Sequence, residues 1–309
     1  MEVSLIVVSF IIASFLHFGV QKVFIHYKLF DNINHRSSHK SLATRTGGIG
    51  VYITILIISL YFYFKQIELF DYSLFIPLSI MFLIGVYDDI YNADFKLKFF
   101  LQIIAAKILI DQGYFISNFY GLFGLYEVPW LLAQSSTVFV FLIVVNAFNF
   151  IDGIDGLAIT EIIKLTLIIE YFSMENSTIS PLGFLIIGSI LPLYYYNFRK
   201  KKKIFLGDSG SLLLGSISMI YILNVLGKDF NFRPELVLNK TLFAILLLLY
   251  PLVDLLRVFS LRIKEGNSPF KADKRHIHHL LQKKLNHFQI NILIFSSSVI
   301  ILILVAELS

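Results

Sequence analysis

Apolar stretches separated by short polar segments alternate along the whole chain of 309 residues. A helix needs roughly 20 predominantly apolar residues to cross a hydrocarbon core of about 30 Å. The pattern therefore predicts an all-α, polytopic integral membrane protein with about ten transmembrane helices. These helices are expected near residues 3–19, 49–64, 73–87, 99–112, 130–146, 157–172, 181–196, 211–226, 241–258 and 290–306.

The composition agrees with a membrane location. The mean hydropathy is +0.76 and 57% of the residues are hydrophobic, whereas soluble globular chains hold about 45–50%. The first segment, MEVSLIVVSFIIASFLHFGV, has neither a basic start nor a small-residue cleavage site, so we interpret it as a retained helix. The absence of cysteine excludes disulfides and thiolate metal sites. The net charge of +5 is modest, and we expect no nucleic-acid partner.

The basic residues are concentrated in alternate loops. Of the 26 Lys and Arg residues, 20 lie in loops 20–48, 87–98, 146–156, 197–211 and 257–289. Because short cytoplasmic loops are enriched in Lys and Arg, these five loops are predicted to face the cytoplasm. An even number of spans then places both termini on the periplasmic or extracellular side.

The polar motifs of the chain fall in the same five loops, although the charge count used neither Asp nor His. Two independent patterns therefore indicate the same face of the membrane. We expect a single integral domain over residues 1–309, with an active site built from these loops.

Asp88 and Asp89 form a pair of adjacent carboxylates at the end of an apolar helix. Two such groups repel one another unless a cation or a basic partner lies between them. The pair is a candidate for catalysis, and the alternative is a solvated pair at a helix end.

The segment NAFNFIDGIDG brings amide and carboxylate groups to the mouth of a predicted membrane helix. Asp152 and Asp155 are expected to share one side of the first helical turn, with Asn149 three residues earlier. Oxygen ligands of this kind suit Mg²⁺, which is held by one or two carboxylates plus substrate phosphates. The alternative is simple capping of the helix N-terminus.

The motif GDSGS is predicted to open another helix with Asp208 in a turn rich in hydrogen-bond donors. Such a turn can face phosphate oxygens. The preceding RKKKK run is interpreted as a cytoplasmic anchor near lipid headgroups.

The motif HIHH groups His276, His278 and His279 beside several charged residues. A zinc site is one interpretation, but the other motifs offer oxygen, so an anionic diphosphate substrate beside Mg²⁺ fits better. In YPLVDLLRV, Asp254 and Arg257 are expected to pair with each other, although ionisable groups at membrane depth are also functional candidates.

Together these motifs resemble the polyprenyl-phosphate N-acetylhexosamine-1-phosphate transferase family of the glycosyltransferase 4, or MraY-like, superfamily, in the branch that includes WecA and TagO. The resemblance covers nearly the whole chain. The related phospho-MurNAc-pentapeptide translocase shares the acidic motifs but differs in the final His motif. The first loop, LATRTGG, lacks the prolines and the extra glycine often seen in the family. The motifs are DD with FKLKFFLQ, NAFNFIDGIDGLA, GDSGS, PLVDLLRV and SPFKADKRHIHH.

The resemblance implies an enzyme of the bacterial inner membrane with its active site facing the cytoplasm. It implies transfer of an N-acetylhexosamine-1-phosphate, with GlcNAc-1-phosphate expected, from a UDP-sugar to undecaprenyl phosphate, with release of UMP. Mg²⁺ would be required, with Mn²⁺ as a possible substitute. The reaction would initiate a cell-envelope glycan such as O-antigen, capsule or teichoic acid, and a homodimer is a possible assembly.

The resemblance also implies roles for individual residues. Four carboxylates are implied as catalytic, with Asp88 as the base that deprotonates the lipid phosphate. Asn149 and Asp208 resemble the metal ligands. The implied catalytic residues are Asp88, Asp89, Asp152 and Asp155, and the implied substrate-binding residues are Lys96, Lys98, Arg45, His276, His278 and His279.

Two other classes of membrane protein place carboxylates similarly. Intramembrane prenyltransferases bind a diphosphate through Asp-held Mg²⁺, but they do not require the HIHH or GDSGS motifs. Ion-coupled transporters place such groups near the bilayer midplane, whereas these lie at predicted inner helix ends. The sequence leaves open the identity of the sugar, the glycan pathway and the oligomeric state. It also does not decide whether the lipid phosphate attacks the UDP-sugar directly or a phosphorylated Asp forms as an intermediate.

Overall fold

The computed structural model describes residues 2–30, 43–174, 179–236, 238–268 and 273–308. Within this part of the chain, helices dominate and only two three-residue strands occur. The helices are α1 Glu2–His26, α2 Gly47–Phe64, α3 Phe75–Tyr91, α4 Phe95–Asp111, α5 Trp130–Ile151, α6 Leu157–Phe172, α7 Ser180–Phe198, α8 Gly207–Val225, α9 Lys240–Leu247, α10 Leu249–Lys264, α11 Ile277–Leu281 and α12 His287–Leu308. The strands are β1 Ala43–Arg45 and β2 Lys203–Phe205, and short 3₁₀ turns lie at Tyr72–Leu74 and Leu122–Gly124.

Seven of the described helices are long and apolar enough to cross a membrane, or eight spans if α9 and α10 are counted as one. This confirms the predicted all-α, polytopic membrane fold. The predicted count of ten spans stays a prediction, since α4 and α6 reach only 17 and 16 residues. The outward-facing termini also stay a prediction.

A 70° bend separates α9 from α10. Pro251 lies in the first turn of α10 and has no N–H to donate to the Leu247 carbonyl, so the helix cannot continue through this point. The bend divides the predicted span 241–258 into two helices.

The chain divides into two compact units. Unit 1 comprises Met1–Gly113 and Glu175–Ile217, and unit 2 comprises Tyr114–Met174 and Ser218–Ser309. The expectation of a single domain stays a prediction. Within the inner loops, residues 31–42 and 269–272 lie outside the described residues, among them Arg36, Lys40 and Lys271.

Small residues let the helices of unit 1 pack closely. In this unit α1 packs against α7 and α2. A Cβ at Gly188 of α7 would overlap the Ser9 hydroxyl of α1. Close approach at small residues is the usual basis of helix association in membranes, where burial of apolar surface gives no driving force between helices.

The strands β1 and β2 form a parallel pair that the sequence pattern did not predict. Ala43 pairs with Lys203, and Arg45 pairs with Phe205. Strands of three residues are too short for an alternating pattern to show in the sequence. The pair leads directly into α2 and α8, whose first turns meet at Gly48, where any Cβ would overlap the backbone of Gly210.

In unit 2, α5 packs against α6 and α10, and α12 packs against α6, α9 and α10. The turn that joins α5 to α6 covers residues 152–156. This turn and the segment before α11 carry the polar side chains of unit 2.

Candidate active site

Unit 1 holds a cluster of charged side chains at the meeting of three helix ends. The acidic cluster, as we name it, consists of Asp88, Asp89, Lys98 and Asp208. Asp88 and Asp89 lie in the last turn of α3, Lys98 in the first turn of α4 and Asp208 in the first turn of α8. The predictions that the Asp pair ends a helix and that Asp208 opens one are confirmed.

Lys98 bridges two carboxylates of the acidic cluster. Its Nζ atom lies 2.8 Å from Asp88 Oδ2 and 2.8 Å from Asp208 Oδ2. Burial alone would lower the pKa of Lys98, but the carboxylates of Asp208 and Asp88 outweigh burial and raise that pKa above its usual value. The ammonium group is therefore charged, and it offsets part of the negative charge of its two neighbours.

The two adjacent aspartates accept hydrogen bonds from different partners. Asp88 accepts a hydrogen bond from the Ala93 N–H at 2.6 Å as well as from Lys98. Asp89 accepts hydrogen bonds from the backbone N–H groups of Asp208 at 2.9 Å and Ser209 at 3.0 Å. Asp89 thus caps α8, which has free N–H groups and a partial positive charge at its start.

Local sequence explains how these side chains meet. Asn92 adopts a left-handed conformation with φ 56° and ends α3. Asp94 then caps α4 by accepting a hydrogen bond from the Lys96 N–H. The chain reverses within a few residues, so Lys98 in the first turn of α4 reaches back to Asp88.

Two glycines permit the close approach of α8. A Cβ at Gly85 of α3 would overlap the backbone of Ser209, and a Cβ at Gly207 would lie 2.6 Å from Asp89 Oδ2. Gly207 also has φ 74°, which an L side chain rarely adopts. Both positions require glycine if Asp89 is to reach the start of α8.

The other basic residues assigned in unit 1 take different positions. Lys96 is exposed, and among the described residues its side chain makes no contact with the acidic cluster. Arg45 ends β1 opposite Phe205, two residues before Gly207. Of the two predicted lysines, the structure brings only Lys98 to the carboxylates.

The acidic cluster fits a divalent cation by its donor chemistry. Asp88 and Asp208 each direct one carboxylate oxygen at the same ammonium nitrogen, so the position between them already suits a cation. Mg²⁺ is commonly held by one or two carboxylates and completed by waters and substrate phosphates. Among the described residues no group of three or more His, Cys, Asp and Glu is arranged to hold a metal, so a Mg²⁺ ion here would depend on such additional ligands.

In unit 2 the IDGIDG segment forms a turn between helices, which corrects one expectation. We expected Asp152 and Asp155 in the first turn of a helix, but α5 extends to Ile151 and α6 begins only at Leu157. The residue before α6 is Gly156 with φ 80°, and it makes no side-chain cap. The alternative that the two aspartates cap a helix stays a prediction, and Asn149 lies in the last turn of α5.

The histidine cluster, defined as His276, His278 and His279, packs over this turn. The rings of His276 and His278 stack with centroids 5.3 Å apart, and His279 lies 4.3 Å from His278. A Cβ at Gly153 would lie 2.7 Å from His278 Nε2. The structure thus brings two of the predicted motifs, IDGIDG and HIHH, into contact.

Helix α10 holds the histidine segment in place. Asp254 accepts hydrogen bonds from His276 Nδ1 and from the Ile277 N–H, both at 2.6 Å. Arg257 donates to the Arg275 carbonyl at 2.7 Å. The expected pairing of Asp254 with Arg257 is therefore wrong, because each side chain reaches the histidine segment instead.

Further along α10, another side chain also holds the segment that precedes α11. Arg262, which is 2% exposed, donates to both carboxylate oxygens of Asp273 at 2.9 and 3.1 Å. Such bidentate pairs fix geometry as well as charge. The hydrogen bonds from Arg262 hold the pKa of Asp273 below its usual range.

Three residues of this region were not singled out from the sequence. His287 Nδ1 lies 2.9 Å from Asp155 Oδ2. Gln282 bridges His279 Nδ1 at 3.1 Å and His287 Nε2 at 2.7 Å, and Asn291 donates to the Asp155 carbonyl at 3.0 Å. The only sequence signal was their place shortly after HIHH.

Burial favours the neutral forms of His278 and His279. Burial lowers the pKa of His278 far below its usual value, and the neighbouring imidazoles lower it further. Burial also lowers the pKa of His279. At neutral pH these rings act as hydrogen-bonding groups without a full charge.

The site residues thus fall into two groups, the acidic cluster with Arg45 in unit 1 and the histidine cluster with the IDGIDG turn in unit 2. The expectation that all five loops form one site stays a prediction, as do the individual catalytic and ligand roles.

Comparison with known proteins identifies the family. The sequence profile of glycosyl transferase family 4 matches residues 72–226. Undecaprenyl-phosphate alpha-N-acetylglucosaminyl 1-phosphate transferase of Yersinia pestis is 26% identical over 295 residues, which cover 92% of this chain and 77% of that protein. The protein of the same name from Escherichia coli K12 is 28% identical over 288 residues, covering 89% and 74%.

Bacillus subtilis has a similar protein as well. The probable undecaprenyl-phosphate N-acetylglucosaminyl 1-phosphate transferase of Bacillus subtilis is 29% identical over 269 residues, or 85% of this chain and 72% of that protein. These relatives confirm the resemblance expected from the motifs and give no support to the prenyltransferase or transporter alternatives. The chain belongs to glycosyl transferase family 4.

Proposed function

We propose that the protein transfers N-acetylglucosamine 1-phosphate from UDP-N-acetylglucosamine to undecaprenyl phosphate. A phosphate oxygen of the lipid attacks the phosphorus that carries the sugar. The bond between that phosphorus and the oxygen bridging the two phosphates breaks. The products are a lipid-linked diphospho-sugar and UMP.

Two kinds of observation support this proposal. The similar proteins from Yersinia pestis, Escherichia coli and Bacillus subtilis carry undecaprenyl phosphate and the N-acetylglucosaminyl 1-phosphate group in their names. The observation that carries most weight for this chain is the bridge from Asp88 through Lys98 to Asp208, which concentrates cation-binding carboxylates at three helix ends.

In unit 1 the acidic cluster would position the phosphates. When bound, Mg²⁺ would neutralise phosphate charge and orient the phosphate that is attacked. Asp208 would hold the ion, with Asp88 beside it, and Asn149 would be the ligand contributed by the NAFN motif. Asp88 would accept the proton of the lipid phosphate, while Lys98 offers a positive charge to the phosphate oxygens.

In unit 2 the histidine cluster would bind the sugar nucleotide. The imidazoles held by Asp254, Tyr250 and Gln282 can donate hydrogen bonds to, or accept them from, the polar groups of the sugar nucleotide. Asp152 and Asp155 would lie beside the metal and the nucleotide. Phosphoryl transfer depends chiefly on positioning and charge neutralisation, and these groups serve both.

The membrane helices explain access to the two substrates. The lipid carrier arrives within the bilayer, and the sugar nucleotide arrives from the cytoplasm, where the basic loops are predicted to lie. We place the enzyme in the bacterial cytoplasmic membrane with its site on the cytoplasmic side.

The direct test uses purified protein in liposomes that contain undecaprenyl phosphate. We expect labelled UMP to be released from UDP-N-acetylglucosamine only when the lipid is present, and to cease with EDTA until Mg²⁺ or Mn²⁺ is added. A panel of UDP-sugars in the same assay identifies the preferred sugar. Release of UMP without the lipid acceptor, or indifference to EDTA, contradicts the proposal.

A further inference from the structure

Two polar side chains of α10 face the histidine cluster from one side of the helix. Tyr250 and Asp254 are four residues apart and so share a face. Tyr250 is 8% exposed and Asp254 is 0% exposed. The side-chain contacts of both residues with the histidines lie within unit 2.

The contact with Asp254 determines which nitrogen of His276 carries hydrogen. Asp254 Oδ2 lies 2.6 Å from His276 Nδ1, and its other oxygen accepts the Ile277 N–H. An ionised carboxylate can only accept hydrogen bonds. His276 therefore carries a hydrogen on Nδ1, and in the Nδ1–H tautomer the lone pair of Nε2 is available as an acceptor.

Tyr250 holds His278 through the ring atom Nδ1. The Tyr250 hydroxyl lies 3.0 Å from His278 Nδ1. A phenol is a good donor and a neutral imidazole nitrogen a good acceptor, so the favoured arrangement has Tyr250 donating to Nδ1. His278 then carries its own hydrogen on Nε2, the reverse of His276.

The Nε2 atom of His278 has an unusual environment. The His278 residue is 0% exposed, yet Nε2 has no hydrogen-bond partner among the described residues. It faces Gly153, where a Cβ would lie only 2.7 Å away. A buried donor without a partner is unfavourable, and an acceptor that entered beside the Gly153 backbone would satisfy it.

We propose that Tyr250 and Asp254 are positioning residues that hold His276 and His278 in opposite tautomers, so that His278 offers an Nε2–H donor to an anionic oxygen of the sugar nucleotide at Gly153. His276, stacked on His278 at an interplanar angle of 12°, offers an acceptor instead. The tautomer assignment stands on the contacts within unit 2, whereas its effect on substrate binding rests on the proposed function.

Nitrogen-15 spectra of histidine-labelled protein in lipid report the tautomers directly. A spectrum of His278→Gln identifies the signals of His278. In the wild type we expect a protonated Nε2 for His278 and a protonated Nδ1 for His276. The same tautomer in both rings overturns the proposal.

Tyr250→Phe tests the phenol without removing the ring. We expect the His278 signals to shift toward a mixture of tautomers, because the donor to Nδ1 is lost. Tyr221→Phe is the matched control, since Tyr221 is also a buried tyrosine of unit 2 but its hydroxyl contacts Glu170. Unchanged His278 signals in Tyr250→Phe, or equal shifts in both variants, overturn the proposal.

Asp254→Asn tests the carboxylate. The amide keeps the shape and can still accept the Ile277 N–H, but its NH₂ group would donate to His276 Nδ1. We therefore expect the hydrogen of His276 to move to Nε2, which the spectrum shows as an inversion of its two signals. Asp229→Asn, an exposed carboxylate of unit 2, should leave both rings unchanged. A His276 that keeps its tautomer in Asp254→Asn contradicts the assignment.

The kinetic measurement separates positioning from general loss of structure. Tyr250→Phe should raise KM for UDP-N-acetylglucosamine about tenfold, the effect of one weakened hydrogen bond, while kcat stays within roughly threefold. Equal KM values in Tyr250→Phe and Tyr221→Phe overturn the role in binding. If the tautomers are as proposed but the wild type turns over no UDP-sugar, the proposed function fails and the tautomer assignment stands.

Discussion

In unit 1 the candidate site consists of charged side chains joined by ion pairs, whereas in unit 2 it consists largely of imidazoles held by hydrogen bonds. Lys98 lies between the carboxylates of Asp88 and Asp208. In the histidine cluster, by contrast, Asp254 and Tyr250 each hold one ring by its Nδ1 atom. In the acidic cluster a metal ion can replace the Lys98 ammonium between the carboxylates. In the histidine cluster the hydrogen bonds fix the orientation of each ring and the nitrogen that carries its hydrogen.

The two regions also differ in what makes the burial of their polar side chains energetically acceptable. Ionised groups away from water are unfavourable unless they are paired, and the acidic cluster pairs them. Neutral imidazoles are less costly to bury, provided that their nitrogens find partners. We therefore expect substitutions in unit 1 to affect the metal and the chemical step, and substitutions in unit 2 to affect chiefly the binding of the sugar nucleotide.

The largest effect is expected from Asp208→Asn, which should lower kcat roughly 1,000-fold or more because a charged cation ligand is lost. The fold should persist, since it is the backbone N–H of Asp208 that bonds to Asp89. UMP release and the thermal midpoint measure the two quantities. The control is Asp111→Asn, which changes an exposed carboxylate of unit 1 that pairs with Lys107. Comparable losses in both variants would refute the special role of Asp208.

A smaller loss, roughly 100-fold in kcat, is expected from Lys98→Gln, because the positive charge offered to the phosphate oxygens is lost. The half-saturating Mg²⁺ concentration should fall at the same time, since no ammonium competes for the position. Lys107→Gln is the control, an exposed lysine of α4 that pairs with Asp111, and it should change kcat by less than about threefold. Equal effects of both substitutions would show that the bridge has no special function.

Gly153→Ala should distinguish the binding of the sugar nucleotide in unit 2 from the metal requirement of unit 1. The added Cβ would lie 2.7 Å from His278 Nε2, so we expect KM for the sugar nucleotide to rise about tenfold. The half-saturating Mg²⁺ concentration should not change. A metal requirement that shifts as strongly as KM would remove the distinction between the two regions. Gly19→Ala, in α1 at a position with no atom near the added Cβ and no positive φ, controls for the loss of a glycine.

The smallest effect concerns Asp89. Asp89→Ala removes the cap of α8 and should lower the stability of unit 1 by roughly 1 kcal/mol. Asp89→Asn should cost less, because its amide oxygen still accepts one N–H. Thermal unfolding of the purified protein measures the order of the three forms. An Asn variant that is no more stable than the Ala variant argues against capping as the function of this carboxylate.

Much of the fold followed from the hydrophobic pattern, because each membrane helix must satisfy its own backbone and be apolar along its length. The positions of Asp88, Asp89 and Asp208 at helix ends followed from the same pattern. The turn around Asp152 and Asp155 did not, since α5 continues through NAFNFI and Gly156 delays the start of α6.

Tertiary partners were the least predictable part of the site. Nothing in the local sequence of PLVDLLRV shows that Asp254 bonds to His276 rather than to Arg257. The parallel strands β1 and β2 are too short to show a period. His287 and Gln282 carry no motif. His287 opens α12, whose packing against α6 places it near Asp155, and Gln282 then contacts His287.

The most direct test of the central claim measures the cation itself. Electron paramagnetic resonance of Mn²⁺ added to the purified protein reports bound and free ion without any turnover. The account predicts one Mn²⁺ ion that Mg²⁺ displaces, with much weaker binding in Asp208→Asn and unchanged binding in Asp111→Asn. Mn²⁺ bound equally well by the wild type and by Asp208→Asn would contradict it.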